Sequence, residues 1–453
     1  MPHALVMMLL IIIAAVVMTY IVPAGTFERT DAGLVVPGTY HTIPKDFRTG
    51  LARPMVSTDA VAYPASPLAV VASIPAGMVE RSALIFMILF IGGMFGVLEE
   101  SGALKMGVDR LLTLTRGNIN LLAPVLMVLI ACGSTFLGLI SEYLVIIPMM
   151  VLLAERVGYD ALVGVAIVTI AAKIGYLTSV TNPLPLVIAQ PIVGVPVFSG
   201  AGFRLAVFMV FLPIGILYLL RHTRRQGVAF ASIEVPHAPP LPPRILLMLA
   251  VLATSVVVMV IGAQRLNWGN SELAAMYVAV SLLLAAIAGL NSRRAAQAFL
   301  RGMQGMMLAG VLVGLASAVE IVLRDSLVLD SVIAYLSRAV EGRHPILVGQ
   351  LMVLIQMVID VFIPSTSGQA AVTMPILGPI GQLAGVSGQV TVQAFLFGNG
   401  LTNTITPTSG MLLAYLATGK VAYGAWVRFV FPLVALLAAL SLAATAIAVV
   451  TGH

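Results

Sequence analysis

Charge is scarce in this chain. Only 9% of its 453 residues are Asp, Glu, Lys or Arg and 60% are hydrophobic, whereas a soluble domain carries about 25% charged residues. With a mean hydropathy of +1.07, this is the composition of a polytopic membrane protein. Cysteine is nearly absent: Cys132 stands alone in an apolar run, which leaves no disulfide framework and no cysteine metal site within one chain. The six histidines are scattered and form no H-x-x-H or H-E-x-x-H pattern, so an intramembrane metalloprotease is disfavoured. There is no Walker A loop and no nucleophile–base pair, so the chain reads as a non-enzyme that does not itself use ATP and carries no organic cofactor. The net charge of +6 comes from basic residues at helix ends rather than from a basic domain, which argues against a nucleic-acid partner. Residues 4–22 are too long for a signal peptide and lack its basic start and cleavage site; they read as a retained span.

What the chain has in abundance is apolar stretches long enough to cross a bilayer, about 17–25 residues each. They fall near 4–22, 82–98, 121–136, 161–190, 205–220, 245–261, 272–290, 303–323, 346–363, 390–417 and 427–450. Two more, 138–153 and 365–383, are apolar but interrupted by Ser, Gly and Pro. Basic clusters at Arg221, Arg224, Arg225 and Arg244, and at Arg293, Arg294 and Arg301, are expected in cytoplasmic loops, the first beside a Pro-rich linker over 236–243. Residues 23–80 then form an outer loop. A weak internal likeness appears at an offset of 221 residues: Gly93 falls on Gly314, Glu99 on Glu320, Asp109 on Asp330, and Thr181-Asn182 on Thr402-Asn403. The extra span 245–261 turns the second copy over. The expected organisation is a first repeat at 1–221, a linker and connecting span at 222–271, and an inverted second repeat at 272–453.

Polar, proline-punctuated stretches recur within otherwise apolar segments. Thr178, Ser179, Thr181 and Asn182 precede Pro183; Thr402, Asn403, Thr404, Thr406, Thr408 and Ser409 surround Pro407. Backbone freed by a broken span must be buried in protein or line a wet cavity. Paired broken helices in two halves point to a transporter's binding site. Two further stretches, Gly133 to Glu142 (with Ser134, Thr135 and Ser141) and Pro364 to Gln369 (with Ser365, Thr366 and Ser367), have the small hydroxyl residues and glycine of a re-entrant turn. At such a tip a helix N-terminus offers amides and its positive dipole end to a carboxylate. Freed carbonyls near Asn182 and Asn403 are candidate Na+ ligands. The alternative is that these side chains only pair with nearby backbone in kinked helices.

Ionisable residues inside spans are costly, about 2.5–3.5 kcal/mol each on lenient scales, and mark function by default. Glu142, Lys173 and Asp360 are the coupling candidates. Lys173 is expected to neutralise Glu142, to face a substrate carboxylate, or to snorkel to an interface.

These residues resemble those of the YfcC/DcuC-type carriers of the ion transporter superfamily. The resemblance is carried by Phe362 to Ala370, Met374-Pro375-Ile376, Phe397-Gly398-Asn399-Gly400 and Thr406 to Gly410. Tyr20 to Phe27, Pro37 to Tyr40, Gly158-Tyr159-Asp160 and Asn182-Pro183 add to it. It covers nearly the whole chain. It implies a scaffold and a mobile transport domain, usually in a homodimer with elevator-like movement, carrying dicarboxylates, short carboxylates or, in some relatives, arginine against ornithine. This chain departs from the pattern: Asn399 replaces an expected acid, Ser141-Glu142 stands for a Glu-Glu pair, and Lys173 replaces a small residue. The cavity should therefore be more positive, with Lys173 standing in for a coupling cation.

The reading is an all-α polytopic membrane protein, an inverted-repeat transporter with re-entrant hairpins and two broken helices. It is expected in a prokaryotic inner membrane, moving a small carboxylate with H+ or Na+. An amino-acid exchanger is the alternative, and a channel fits less well because no continuous polar pore is evident.

Overall fold

The computed structural model describes residues 4–31, 34–47, 57–58, 60–115, 119–226, 241–266, 268–340 and 342–453; residues 236–240 of the expected linker lie outside these. Helix α1 (Ala4–Ile21) leads into a segment with an antiparallel ribbon, β1 (Ala24–Thr26) and β2 (His41–Ile43). Then come α2 (Ala69–Glu80), α3 (Ser82–Glu100), α4 (Ala103–Thr115), α5 (Ile119–Leu137), a 3-10 turn at Ser141–Val145, α6 (Ile147–Arg156), α7 (Ala161–Thr178), α8 (Pro183–Ile192) and α9 (Ala201–Arg225). The second half comprises α10 (Pro243–Arg265), α11 (Asn270–Ile287), α12 (Ser292–Asp325), α13 (Leu329–Arg338), α14 (Pro345–Phe362), α15 (Thr366–Leu383), α16 (Gly388–Thr402), α17 (Gly410–Thr418) and α18 (Tyr423–Val450).

Among the described residues, seven helical stretches are long and apolar enough to cross a membrane: α3, α7 with α8, α9, α11, α12, α14 and α18. The expected loop at 291–301 is instead the start of α12. Asn291 caps it by accepting from the Arg294 amide, and the Ala, Arg and Gln residues that follow are good helix formers. The basic cluster thus extends a span rather than connecting two. Both expected breaks are present, at residues 179–182 and 403–409.

The helices form two packed groups. One is built on α12, which packs along α1, α2 and α3, with α11 against α3. Glycine permits this closeness: a Cβ on Gly302 would lie 2.0 Å from the Gly92 carbonyl oxygen, so the two backbones touch. The other group surrounds α7 and α16. Helix α7 packs on α5, α6 and α9, and α16 packs on α14, α15 and α18. The same partners recur in the same order in each half. The halves also exchange elements. Helix α8 packs against α15, α17 against the 3-10 turn and α6, and α7 crosses α16 directly. At that crossing a Cβ on Gly400 would meet Leu177 Cα at 2.9 Å.

Burial separates the central helices from the rest. Over an 18-residue apolar window, 89% of residues are buried in the α7–α8 stretch and only 33% in α18. Polar side chains on α7 therefore face protein, and Lys173 does not snorkel to an interface. Acidic residues at span ends are paired there: Glu320 with Arg81, Glu100 with Arg301 and Asp330 with Arg29.

Candidate functional site

In the second half, α14 ends at Phe362 and the chain restarts as α15 at Thr366, with Ser365 as cap accepting from the Gly368 amide. The capping hydroxyl satisfies one of the four amides a helix start leaves open. The Gln369 amide bonds to Ser365 O, and those of Thr366 and Ser367 have no partner among the described residues. Ser365 and Thr366 are half-buried and Ser367 is exposed, so this helix N-terminus remains accessible.

Behind the tip lies a buried polar network. Asn399 Nδ2 donates to Asp360 Oδ1 at 2.7 Å and to Gln369 Oε1 at 2.7 Å, and Asn403 Nδ2 donates to the same Asp360 oxygen at 2.8 Å. Gln369 Nε2 in turn donates to Gln356 Oε1, whose own amide reaches Thr373. Tyr176, from α7 in the other half, donates to Asn399 Oδ1 at 2.7 Å and bonds the Thr366 hydroxyl. Asp360 is fully buried and its Oδ2 has no hydrogen-bond partner among the described residues.

Lys173, one turn before Tyr176, is 5% exposed. Its ammonium is within electrostatic range of Asp360 and makes no ion pair or hydrogen bond among the described residues. It opens on a cavity of about 10 Å³ lined also by Leu401 of α16, Thr404 of the second break, and Leu433 and Leu437 of α18. That is room for about one water molecule, not for an organic acid.

The first half is built differently. Helix α5 does not turn at Gly133 but runs to Leu137, and the chain reverses at Gly138, whose φ of +74° suits glycine. The hydroxyls expected to break it hold it to α7 instead. Ser134 Oγ donates to Ala172 O at 2.7 Å, and Thr135 Oγ1 bonds Thr178 Oγ1 and accepts from the Val180 amide at 3.0 Å. The Thr181 amide and hydroxyl bond to Thr135 O and Phe136 O. The freed amides of the first break are therefore engaged by α5. Asn182 caps α8 through the Leu184 amide, while its Nδ2 is buried without a partner. Ser179 sits at φ 40°, ψ 56°, its hydroxyl on Tyr176 O.

Glu142 and Lys173 do not meet. Glu142 Oε2 instead accepts from the Ile140 amide at 2.9 Å and from Ser141 Oγ at 3.3 Å, filling the tip of its own hairpin. Tyr415 of α17 donates to Ile140 O beside it. Asn182 and Asn403 likewise belong to separate hydrogen-bonded groups.

The second helix after each break, α9 in one half and α18 in the other, holds the freed carbonyls, which the sequence reading missed. Arg204, in the first turn of α9 and 2% exposed, donates through Nε and Nη2 to Val180 O at 3.3 Å and through Nη2 to Ser199 O at 2.6 Å. In α18, Trp426 donates to Thr404 O at 3.0 Å and Tyr423 to Ile405 O. Arg204 precedes Trp426 by 222 residues, one position from the repeat offset, and that register was the available signal. The remaining hydroxyls of the second break are also engaged: Thr402 with Met357 O, Thr404 with Gly400 O, Thr406 with Thr408, and Ser409 as the cap of α17. Among the described residues no group of three or more His, Cys, Asp or Glu could hold a metal ion.

A family model described as DcuC, C4-dicarboxylate anaerobic carrier, matches residues 1–450. The chain is 30% identical to Escherichia coli (strain K12) YfcC, a protein named provisionally as a basic amino acid antiporter, over 94% of this chain and 92% of that one. It is 25% identical to an uncharacterised Haemophilus influenzae protein, over 96% and 94% of the two. Among solved structures, it is similar to the Alcanivorax borkumensis YdaH transporter, with a TM-score of 0.46, 16% identity and coverage of 100% and 99% of the two chains. It is also similar to the Neisseria gonorrhoeae efflux pump MtrF, with a TM-score of 0.42, 18% identity and coverage of 99% and 95%. With a family model spanning nearly every residue and broken helices set in paired halves, the chain belongs to the DcuC carrier family and is a multi-pass membrane transporter.

Proposed function

We propose that the chain is a secondary active transporter of small carboxylates, either four-carbon dicarboxylates or short organic acids. The observation that carries this reading is the unequal state of the two hairpin tips. In the first, the protein's own Glu142 carboxylate takes the Ile140 amide. In the second, the Thr366 and Ser367 amides at the start of α15 are unclaimed and accessible. A helix N-terminus favours an anion, and an incoming carboxylate there would sit where Glu142 sits in the other half. Lys173 lies one turn from Tyr176, which touches that tip, and adds positive charge without a carboxylate bound to it.

This reading includes elevator-like alternating access by a homodimer in a prokaryotic inner membrane, coupled to H+ or Na+. Asp360 Oδ2, buried and unpartnered, is the proposed coupling group, and Lys173 serves as its tethered counter-cation. The matched packing partners of α7 and α16 support repeats at 1–221 and 272–453, joined by 222–271. A second reading, exchange of basic amino acids, draws on that same unpaired carboxylate oxygen, which suits a cationic substrate, and on the likeness to YfcC. Counterflow in proteoliposomes separates them. Labelled succinate or lactate should accumulate against unlabelled carboxylate, with or without a Na+ or H+ gradient. Accumulation of arginine against ornithine, with none of either acid, would overturn the proposal in favour of the exchanger.

A further inference from the structure

Helix α9 ends in a stripe whose chemistry changes along its length. Leu217, Leu220, Arg221, Arg224 and Arg225 follow the i, i+3, i+4, i+7, i+8 spacing that places side chains on one helix face. Together they line an open concavity of about 450 Å³. Leu217 is 64% exposed and belongs to a helix apolar enough to lie in hydrocarbon. The three arginines are exposed at the helix end, on the side where basic clusters stay cytoplasmic. Three other arginines near helix ends are matched with acids: Arg81 with Glu320, Arg156 with Asp109 and Arg301 with Glu100. Arg221, Arg224 and Arg225 have no side-chain hydrogen bond or ion pair among the described residues.

We propose that this face binds the headgroup of an anionic phospholipid. Guanidinium forks suit phosphate oxygens, and the leucines one turn deeper offer acyl chains an apolar wall. A soluble phosphate would use the arginines and leave the leucines idle. Basic pockets at the cytoplasmic edge of spans have this selectivity for acidic lipid. The site is independent of the hairpin tips and of whichever substrate they take.

The test uses the full chain purified in detergent, with lipid retention read by native mass spectrometry and stability by thermal shift. Cardiolipin should bind and raise the melting temperature, while phosphatidylcholine and inorganic phosphate should not. Each basic residue beside an anionic surface is worth roughly five-fold in affinity. The triple variant R221Q/R224Q/R225Q should then lose on the order of a hundred-fold, with its melting temperature in phosphatidylcholine unchanged. Should that variant fail to fold, R224Q alone should show the five-fold loss. Equal cardiolipin retention by wild type and variants, or an equal shift from inorganic phosphate alone, would overturn the proposal.

Discussion

Neutralising Asp360 and Lys173 one at a time should damage the protein more than neutralising both together. Asp360 is fully enclosed, with Oδ1 accepting the Asn399 and Asn403 amides at 2.7 and 2.8 Å and Oδ2 accepting none. In Asp360→Asn the amide oxygen can keep both bonds, but as neutral ones, dropping each from about 1.5–3 kcal/mol toward about 1 kcal/mol. Lys173, 5% exposed, is then left without its counter-charge. Leaving one charge of a buried pair alone costs about 3–5 kcal/mol. In Lys173→Met the unbranched chain still fills its volume and Asp360 keeps two donors, so the loss should be smaller, about 2–3 kcal/mol. The double variant buries no charge, and replacing a buried pair with neutral groups is often without net cost.

The expected coupling follows from Coulomb's law. At an effective dielectric constant of about 20, two unit charges at about 4 Å attract by about 4 kcal/mol, and a pair beyond contact distance by less. Thermal unfolding of all four proteins in one detergent supplies the stability cycle, and counterflow supplies activity. Both single variants should unfold several degrees early, the double should recover at least half of the larger loss, and all three should fail to transport. Additive losses, within about 0.5 kcal/mol, would show that the charges do not sense each other. Full transport by Lys173→Met would remove the lysine from the coupling scheme.

Ser179 holds a left-handed backbone at φ 40°, so Ser179→Gly should be neutral to slightly stabilising by thermal shift, whereas Ser179→Val should cost about 2 kcal/mol or more. Arg204→Met strands the Val180 and Ser199 carbonyls; at about 1–3 kcal/mol for each buried group left unpaired, it should unfold early and transport slowly, and Arg204→Lys should rescue only part of either. Lys45, in the segment between α1 and α2, donates to Thr19 O and Val22 O, and burial lowers its pKa from 10.5 to about 8. The unfolded chain therefore binds more protons between those values, stability should rise as pH goes from about 8 to 10.5, and Lys45→Met should abolish that slope in melting curves. Asn399→Asp would set a second carboxylate against Asp360, and two such groups in contact must hold a proton or cation between them; thermal shift should then depend more steeply on Na+, or on pH in the acid-to-neutral range, than in the wild type.

Much of this architecture was legible because helix breakage leaves local marks. Pro183 and Pro407 cannot donate to a helix, and the Asn, Ser and Thr beside them compete for backbone, so both breaks fell where expected. Pro364 and Ser365 marked the start of α15 for the same reason. The first tip was misplaced because Ser134 and Thr135 are equally able to break a helix or to bond a neighbouring one, and α7 decides between these. The basic stretch at 291–301 looked like a loop by charge, yet its composition is helical and α12 runs through it. The tertiary partners were out of reach. Tyr176 meets Asn399 across 223 residues and Arg204 meets Val180 across 24; no periodicity reports such pairs. Pairing of Glu142 with Lys173, one of the three alternatives for the lysine, is not realised, because the Ile140 amide and Ser141 hydroxyl beside the carboxylate satisfy it more directly.

The repeated halves share a scaffold but not a charge state, and that difference matters for mechanism. In a strictly symmetric carrier both tips would compete for the same anion. Here Glu142 supplies one tip with its anion internally and ties it to Tyr415 of the opposite half through Ile140. The second tip keeps open amides, backed by Asn399, Asn403, Tyr176 and a carboxylate satisfied on one side only. On the proposed reading, a substrate carboxylate would find an unfilled helix end at the second tip, while the first is already filled by Glu142. Removing the seal should be detectable. Glu142→Ala frees the Ile140 amide, so a carboxylate too large or too highly charged for one tip gains a second binding point. Counterflow should then favour dicarboxylates over monocarboxylates more strongly than in the wild type; an unchanged ratio would mean that the first tip never faces the substrate.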